Sequence, residues 1–200
     1  MVEVRGDGNC FWRSLQVFID ADWKVIKTTV LTFLQLCVNG NGQHGREASA
    51  FFRAMIAGVV IEDQGCKVDP GDAAGILRYI ARNGIFAPTA AMMAAQVLFG
   101  KIDGLVQTDR FGPVQYSYNF QPIDGVVPVA AFICRPWCAG VDHCEPIQRI
   151  GSPAIVKQPL HASVSGTKFD IKSRASLWWA DFLGEGPDVE LTWMGQAAAK

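Results

Sequence analysis

The fold is decided near the start of the chain, where residues 6–15 have the sequence GDGNCFWRSL. Two glycines separated by one residue indicate a tight turn, and a cysteine follows at the head of an apolar stripe. Apolar side chains then recur at helical spacing: Phe11, Leu15, Phe18 and Ile19. The pattern predicts a glycine turn that leads directly into a helix whose first residue is Cys10.

A cysteine in this place has the surroundings that make a thiol reactive. The first turn of a helix carries partial positive charge and unpaired N–H groups, which favour the thiolate. The same N–H groups, around Asp7, Gly8, Asn9 and Cys10, can hold the oxyanion of a tetrahedral intermediate. We therefore predict that Cys10 is a nucleophile, with Trp12 either lining the cleft or buried beneath the helix. The alternative is that Cys10 is an ordinary buried thiol.

The pattern of the whole chain changes near residue 100. Helices are predicted from Cys10, after Asp22, over residues 46–58, after an N-cap at Asp69 with Pro70 in the first turn, and over residues 89–99. Strands are predicted over residues 102–107, 114–119, 126–134, 153–156, 160–164, 167–171 and 189–193. Helices followed by strands indicate an α+β fold. We expect a single domain over residues 1–195, with a helical part over about 10–100, a mostly antiparallel sheet over about 101–195, and a tail at 196–200.

Composition and charge restrict the partners. The formal net charge is −1 and no run of Lys or Arg occurs, so nothing favours a nucleic-acid partner. The most apolar window, residues 86–99, is too short to cross a bilayer, and we expect no membrane span. Without a visible secretory signal, the six cysteines are expected to be mostly reduced. The motif begins almost at residue 1, which suggests a segment of a polyprotein or multidomain protein.

The nucleophile motif also resembles that of a known family. Asp-Gly-Asn-Cys, followed by two aromatic residues, a basic residue, Ser and Leu, resembles the active-site motif of ovarian-tumour (OTU) cysteine proteases, including those of RNA viruses. Residues 84–88, 90–95 and 102–106 are similar to the helix-then-strand segment behind that cysteine. The resemblance implies a papain-like fold and hydrolysis of peptide or isopeptide bonds without a cofactor. It also implies a substrate carrying ubiquitin or a ubiquitin-like modifier, in the host cytoplasm for a viral enzyme, which can also process its own polyprotein. A protease dedicated to the polyprotein is an alternative.

A cysteine protease needs an imidazole that takes up the thiol proton and returns it to the leaving amine. The three histidines are His44 in a glycine-rich loop, His143 among cysteines, and His161 late in the chain, where OTU and papain-like families place theirs. A hairpin closed by a Ser-Gly turn would set His161 directly opposite Asp170, within reach of its carboxylate. We therefore predict His161 as the base and Asp170 as the acid that orients it.

The chain departs from the OTU pattern at one point. Many OTU proteases carry His-aromatic-Asp, and this chain has Lys168-Phe169-Asp170. If Lys168 occupies the base position, the domain is a catalytically dead ubiquitin-binding pseudoenzyme, because lysine is a poor base at neutral pH. A His that faces its Asp across a hairpin instead resembles the papain-like proteases of nidoviruses, which favours His161.

Four residues that can bind metal also cluster within eleven positions: Cys134, Cys138, His143 and Cys144. Structural zinc sites combine two pairs of ligands with short spacing. The adjacent His143 and Cys144 would strain a tetrahedral site, so ordinary thiols are the favoured interpretation and zinc is the alternative.

Overall fold

A computed structural model describes residues 4–39, 46–59, 68, 71–109, 111–138, 141–148, 155 and 157–160. Helices and small sheets together make a mixed α+β fold, which confirms the predicted class at that level. The helices are α1 (Cys10–Phe18), α2 (Trp23–Asn39), α3 (Arg46–Ala57), α4 (Ala73–Ala81) and α5 (Thr89–Phe99). The strands are β1 (Ile19–Asp20), β2 (Ile102–Gln107), β3 (Val114–Tyr116), β4 (Ala130–Cys138), β5 (Val141–Pro146) and β6 (Gln158–Pro159), and a 3-10 turn covers Tyr118–Phe120.

The larger sheet has the strand order β3-β2-β4-β5. Its central pair, β2 and β4, is parallel, and both outer pairs are antiparallel. The smaller sheet pairs β1 with β6 in parallel, with Ile19 opposite Gln158. Among the described strands, β5 is therefore an edge of the larger sheet.

The chain divides into two compact units. The first takes its described residues from Met1–Lys27, Asn83–Ala87 and Phe99–Leu160. In this unit α1 packs on the larger sheet through a row of edge-to-face rings, with centroid separations of 5.1 Å for Trp12 and Phe11, 5.4 Å for Phe11 and Phe132, and 5.4 Å for Phe132 and Phe120. The apolar face predicted for the first helix is thus the one that is buried.

A glycine in β2 makes room for this row of rings. A Cβ built on Gly104 would lie 2.7 Å from the Cβ of Phe120 and 2.8 Å from the Cζ of Phe132. Both distances are shorter than real Cβ contacts, so any side chain at this position would displace a ring. The absence of a side chain therefore lets both rings lie against the strand.

The second unit takes its described residues from Thr28–Arg82 and Pro88–Leu98. Its core includes the edge-to-face pair Phe33 and Phe52, with ring centroids 5.5 Å apart. The helix α4 begins after Asp72, whose carboxylate accepts the backbone N–H of Gly75 at 2.9 Å. The predicted N-cap at Asp69 is therefore wrong, because the carboxylate that satisfies a first-turn donor lies three residues later.

The predicted bounds agree best with the structure where turn and capping residues mark the ends of an element. The fifth helix occupies Thr89–Phe99, as predicted, and the first begins at Cys10. The strand predicted over 126–134 begins only at Ala130, and β5 was not predicted because its residues were interpreted as a cluster of possible ligands. The strands predicted over 160–164, 167–171 and 189–193 and the tail at 196–200 lie outside the described residues, apart from the first residue of the 160–164 segment, and the single-domain assignment stays a prediction.

Candidate functional site

The turn before α1 depends on two glycines that lie close together. Gly8 has φ +78° and Gly84 has φ +81°, a region that residues with a Cβ rarely adopt. A Cβ on Gly8 would also overlap the backbone carbonyl group of Gly84. Gly8 is therefore required twice, by its own backbone conformation and by a segment that is remote in sequence.

Asn9 connects this turn to its surroundings through a buried amide. The side chain is fully buried, and its Nδ2 donates to Oδ1 of Asn83 at 2.9 Å. Its Oδ1 accepts from Nζ of Lys27 at 3.4 Å. Burial lowers the pKa of Lys27 to about 8, while the charge of Asp7 acts in the opposite direction. Sequence reasoning missed Asn83 and Lys27, because they lie 74 and 18 residues from Asn9 along the chain.

Asp7 stabilises the turn before α1 through its carboxylate. Its Oδ1 accepts the backbone N–H of Asn9 at 3.1 Å, and its Oδ2 forms a 2.7 Å ion pair with Arg13. Burial by itself would raise the pKa of Asp7, but the hydrogen bonds from Arg13 and Asn9 bring it below its ordinary value. The guanidinium of Arg13 also lies 4.7 Å from the ring centroid of Trp23. Since the Asn9 N–H is already donated to Asp7, it is not available to an oxyanion in this conformation.

The thiol of Cys10 lies at the start of α1, where the sequence placed it, but it is covered. Cys10 is only 1% exposed, and its Sγ accepts the backbone N–H of Cys144 at 3.3 Å. Burial raises the pKa of Cys10; the N–H groups of Cys144, Phe11 and Cys10 itself lower it, and the charge of Asp7 raises it further. The expected net stabilisation of the thiolate is therefore wrong for this conformation, because desolvation outweighs the helix N-terminus.

Side chains of α1 form hydrogen bonds with backbone groups on the unpaired edge of β5. Cys144 lies opposite Cys134 with a Cα–Cα distance of 4.3 Å, the short separation typical of a non-hydrogen-bonded pair. In such a pair the backbone N–H and C=O of Cys144 point away from β4. Cys10 accepts from this N–H, and Oγ of Ser14 donates to this carbonyl at 3.2 Å. Positions i and i+4 of a helix share one face, so Cys10 and Ser14 together satisfy one residue of an edge strand.

Two members of the cysteine cluster, Cys134 and Cys144, are bonded to each other. A disulfide joins Cys134 to Cys144, which corrects the expectation of reduced thiols for this pair. A disulfide sulfur offers no thiolate to a metal, so two of the four zinc candidates do not fit the ion. His143 is 2% exposed, with its Nε2 3.8 Å from Oε1 of Glu145. The described residues contain no group of three or more metal-ligating side chains close enough to hold an ion.

Several predicted site residues lie outside the described residues: His161, Asp170, Lys168, His44 and the side chain of Cys138. The triad of Cys10, His161 and Asp170 therefore stays a prediction. Trp12 is fully buried, so it packs beneath α1 and does not line an open cleft. Of the predicted residues, the structure brings together Asp7, Gly8, Asn9 and Cys10.

The chain matches no family model, no curated protein and no solved structure. Across the part of the chain that the structure describes, every helix is too short or too polar to span a bilayer.

Proposed function

We propose that this protein is a cysteine protease of the OTU or viral papain-like kind, acting on ubiquitin or ubiquitin-like conjugates in the host cytoplasm. The observation that carries the proposal is the position of Cys10, which is the first residue of α1 and directly follows a turn with a positive-φ glycine. The backbone N–H groups of Cys10 and Phe11 both act to lower the pKa of the thiol. This arrangement offers donors both to a thiolate and to charge that develops beside it.

The proposed reaction is acyl transfer through a thioester. His161 takes the proton of the Cys10 thiol, and the sulfur attacks the carbonyl carbon of a peptide or isopeptide bond. The tetrahedral intermediate collapses when the amine leaves with the proton from the imidazolium. Water then attacks the thioester, releases the carboxylate and restores the thiol, while Asp170 holds the ring orientation throughout. For Cys10 to act as a nucleophile, the hydrogen bond from the backbone N–H of Cys144 to its sulfur must either break or persist as a donor to the thiolate.

A second candidate function is a ubiquitin-binding domain without catalysis. The buried sulfur favours it, because a 1% exposed thiol with a raised pKa is a weak nucleophile at neutral pH. Lys168 in the place of the family's histidine favours it from the sequence.

A ubiquitin vinyl sulfone probe separates the two functions. The active protease should form a 1:1 adduct that peptide mapping places on Cys10, and the Cys10→Ala variant should form none. Cys37→Ala is the matched control, since Cys37 is also a buried free thiol, with a pKa that burial raises to about 12. A domain that binds ubiquitin without any adduct would contradict the protease proposal.

A second substrate distinguishes the polyprotein alternative. The test substrate is a peptide that spans a junction of the parent polyprotein. If Cys10-dependent cleavage of this peptide occurs while ubiquitin-tail substrates stay intact, the protein is a protease but not a deubiquitinase. If neither wild type nor Cys10→Ala turns over either substrate, the proposal that this protein is an enzyme is contradicted.

A further inference from the structure

Three sulfur atoms of the first unit lie around one backbone position, and the proposed protease mechanism uses only one of them. The disulfide joins Cys134 on β4 to Cys144 on β5. The thiol of Cys10 accepts the backbone N–H of Cys144 at 3.3 Å. Three bonds separate that nitrogen from the Cys144 sulfur, so the two sulfur atoms lie within about 7 Å of each other. A free thiol beside a disulfide is the reactant pair of thiol–disulfide exchange.

We propose that Cys10 exchanges with this disulfide and that the exchange switches the nucleophile off. The Cys10 thiol gives its proton to solvent, and its sulfur attacks the Cys144 sulfur. A Cys10–Cys144 bond forms, the Cys134–Cys144 bond breaks, and the Cys134 sulfur leaves as a thiolate that takes up a proton. The number of disulfides and thiols is unchanged, so the step needs no external oxidant or reductant.

Rotation of the Cys10 side chain is the movement by which we expect the two sulfurs to meet. A change of χ1 from one staggered position to the next moves a cysteine sulfur by about 3 Å. Rotation of Cys10 breaks the hydrogen bond between the Cys144 N–H and the Cys10 sulfur, whereas Cys144 is held by its disulfide until the exchange occurs. The released Cys134 is half-buried and Cys10 is buried, so the exchange moves the thiol toward solvent, where a reductant reaches it.

The hydrogen bond from Cys144 also sets the direction of attack. Because the Cys10 sulfur accepts the backbone N–H of Cys144, the Cys144 sulfur is the expected target of the disulfide pair. Burial raises the pKa of Cys10, so little thiolate exists at neutral pH and the exchange should accelerate as the pH rises. The effect on activity rests on the proposed function, whereas the exchange itself does not.

The experiment maps disulfides in the full chain after equilibration in glutathione buffers that range from reducing to oxidising. The thiols are blocked with N-ethylmaleimide, and trypsin then releases residues 6–13, which carry Cys10. Residues 111–149 stay on one peptide with Cys134 and Cys144, because Arg135 precedes a proline. A second cut before Asp142 separates Cys144 from the cysteines upstream.

The expected result is a cross-link between residues 6–13 and the fragment that contains Cys144, together with N-ethylmaleimide on Cys134. The cross-linked fraction should grow faster at pH 8.5 than at pH 7.0. An intact Cys134–Cys144 bond in every buffer, with Cys10 carrying only N-ethylmaleimide or glutathione, would overturn the proposal.

Two variants keep the test independent of folding and of catalysis. Cys134→Ser should form the Cys10–Cys144 bond directly on oxidation, and Cys144→Ser should form no bond to Cys10. Cys37→Ser, which changes a buried thiol of the second unit, should behave as wild type. Labelling of Cys10 by ubiquitin vinyl sulfone should fall in proportion to the cross-link. If the cross-link forms but the fully reduced chain does not react with the probe, the protease function is contradicted and the exchange is still supported.

Discussion

Replacement of Gly8 by alanine tests the geometry that presents Cys10. Two costs act at this position. The first is the positive φ of +78°, which costs an L-residue about 1–2 kcal/mol. The second is the overlap of the new Cβ with the backbone carbonyl of Gly84, which cannot rotate away as a side chain could. Forcing extra volume into a packed site costs about 1–3 kcal/mol.

Gly125 separates the two costs. Its φ of +76° is nearly the same, and a Cβ built on it meets nothing within 4 Å. Gly125→Ala should therefore cost about 1–2 kcal/mol, and Gly8→Ala about 1–3 kcal/mol more.

Urea unfolding followed by circular dichroism measures both variants. An extra loss of about 2 kcal/mol moves the midpoint by about 1 M urea for a typical slope. Equal midpoints for the two variants would refute the close approach of Gly8 to Gly84. A Gly8→Ala variant as stable as wild type would also refute the positive φ.

The other predictions concern a helix cap, a buried lysine and the aromatic row. Asp72→Ala should lower the free energy of unfolding by about 1 kcal/mol, because the Gly75 N–H loses its acceptor, and Asp72→Asn should restore most of it in the same urea assay. The pKa of Lys27 is lowered to about 8 in the folded chain, so the unfolded chain binds its proton more tightly and stability should rise with pH between about 8 and 10.5. Lys27→Met should remove this rise, and parallel pH profiles for variant and wild type would contradict the burial of a titrating lysine. Phe11→Ala should cost about 3–5 kcal/mol through loss of the contact with Phe132, measured as a lower thermal midpoint, and a change below 1 kcal/mol would show that the ring is not in the core.

Local signals in the sequence determined where several elements begin. The glycine turn before Cys10 and the residues that bound Thr89–Phe99 act on the backbone of their immediate neighbours. Such signals can be recognised without tertiary context because a turn or a helix start involves only a few consecutive residues. The N-cap of α4 shows the limit of this reasoning, since Asp69 and Asp72 are both suitable and only the observed bond to Gly75 chooses between them.

Tertiary structure decided the environment of the candidate nucleophile. Asn9 meets Asn83 across 74 residues of sequence, and Cys10 meets Cys144 across 134. Neither contact has a local sequence signal, because each joins segments that are far apart along the chain. The pKa of Cys10 shows the consequence: the start of a helix favours the thiolate, whereas burial by residues far along the chain disfavours it, and burial is the larger effect. The sequence alone placed the sulfur at the head of a helix, and packing determined how readily that sulfur loses its proton.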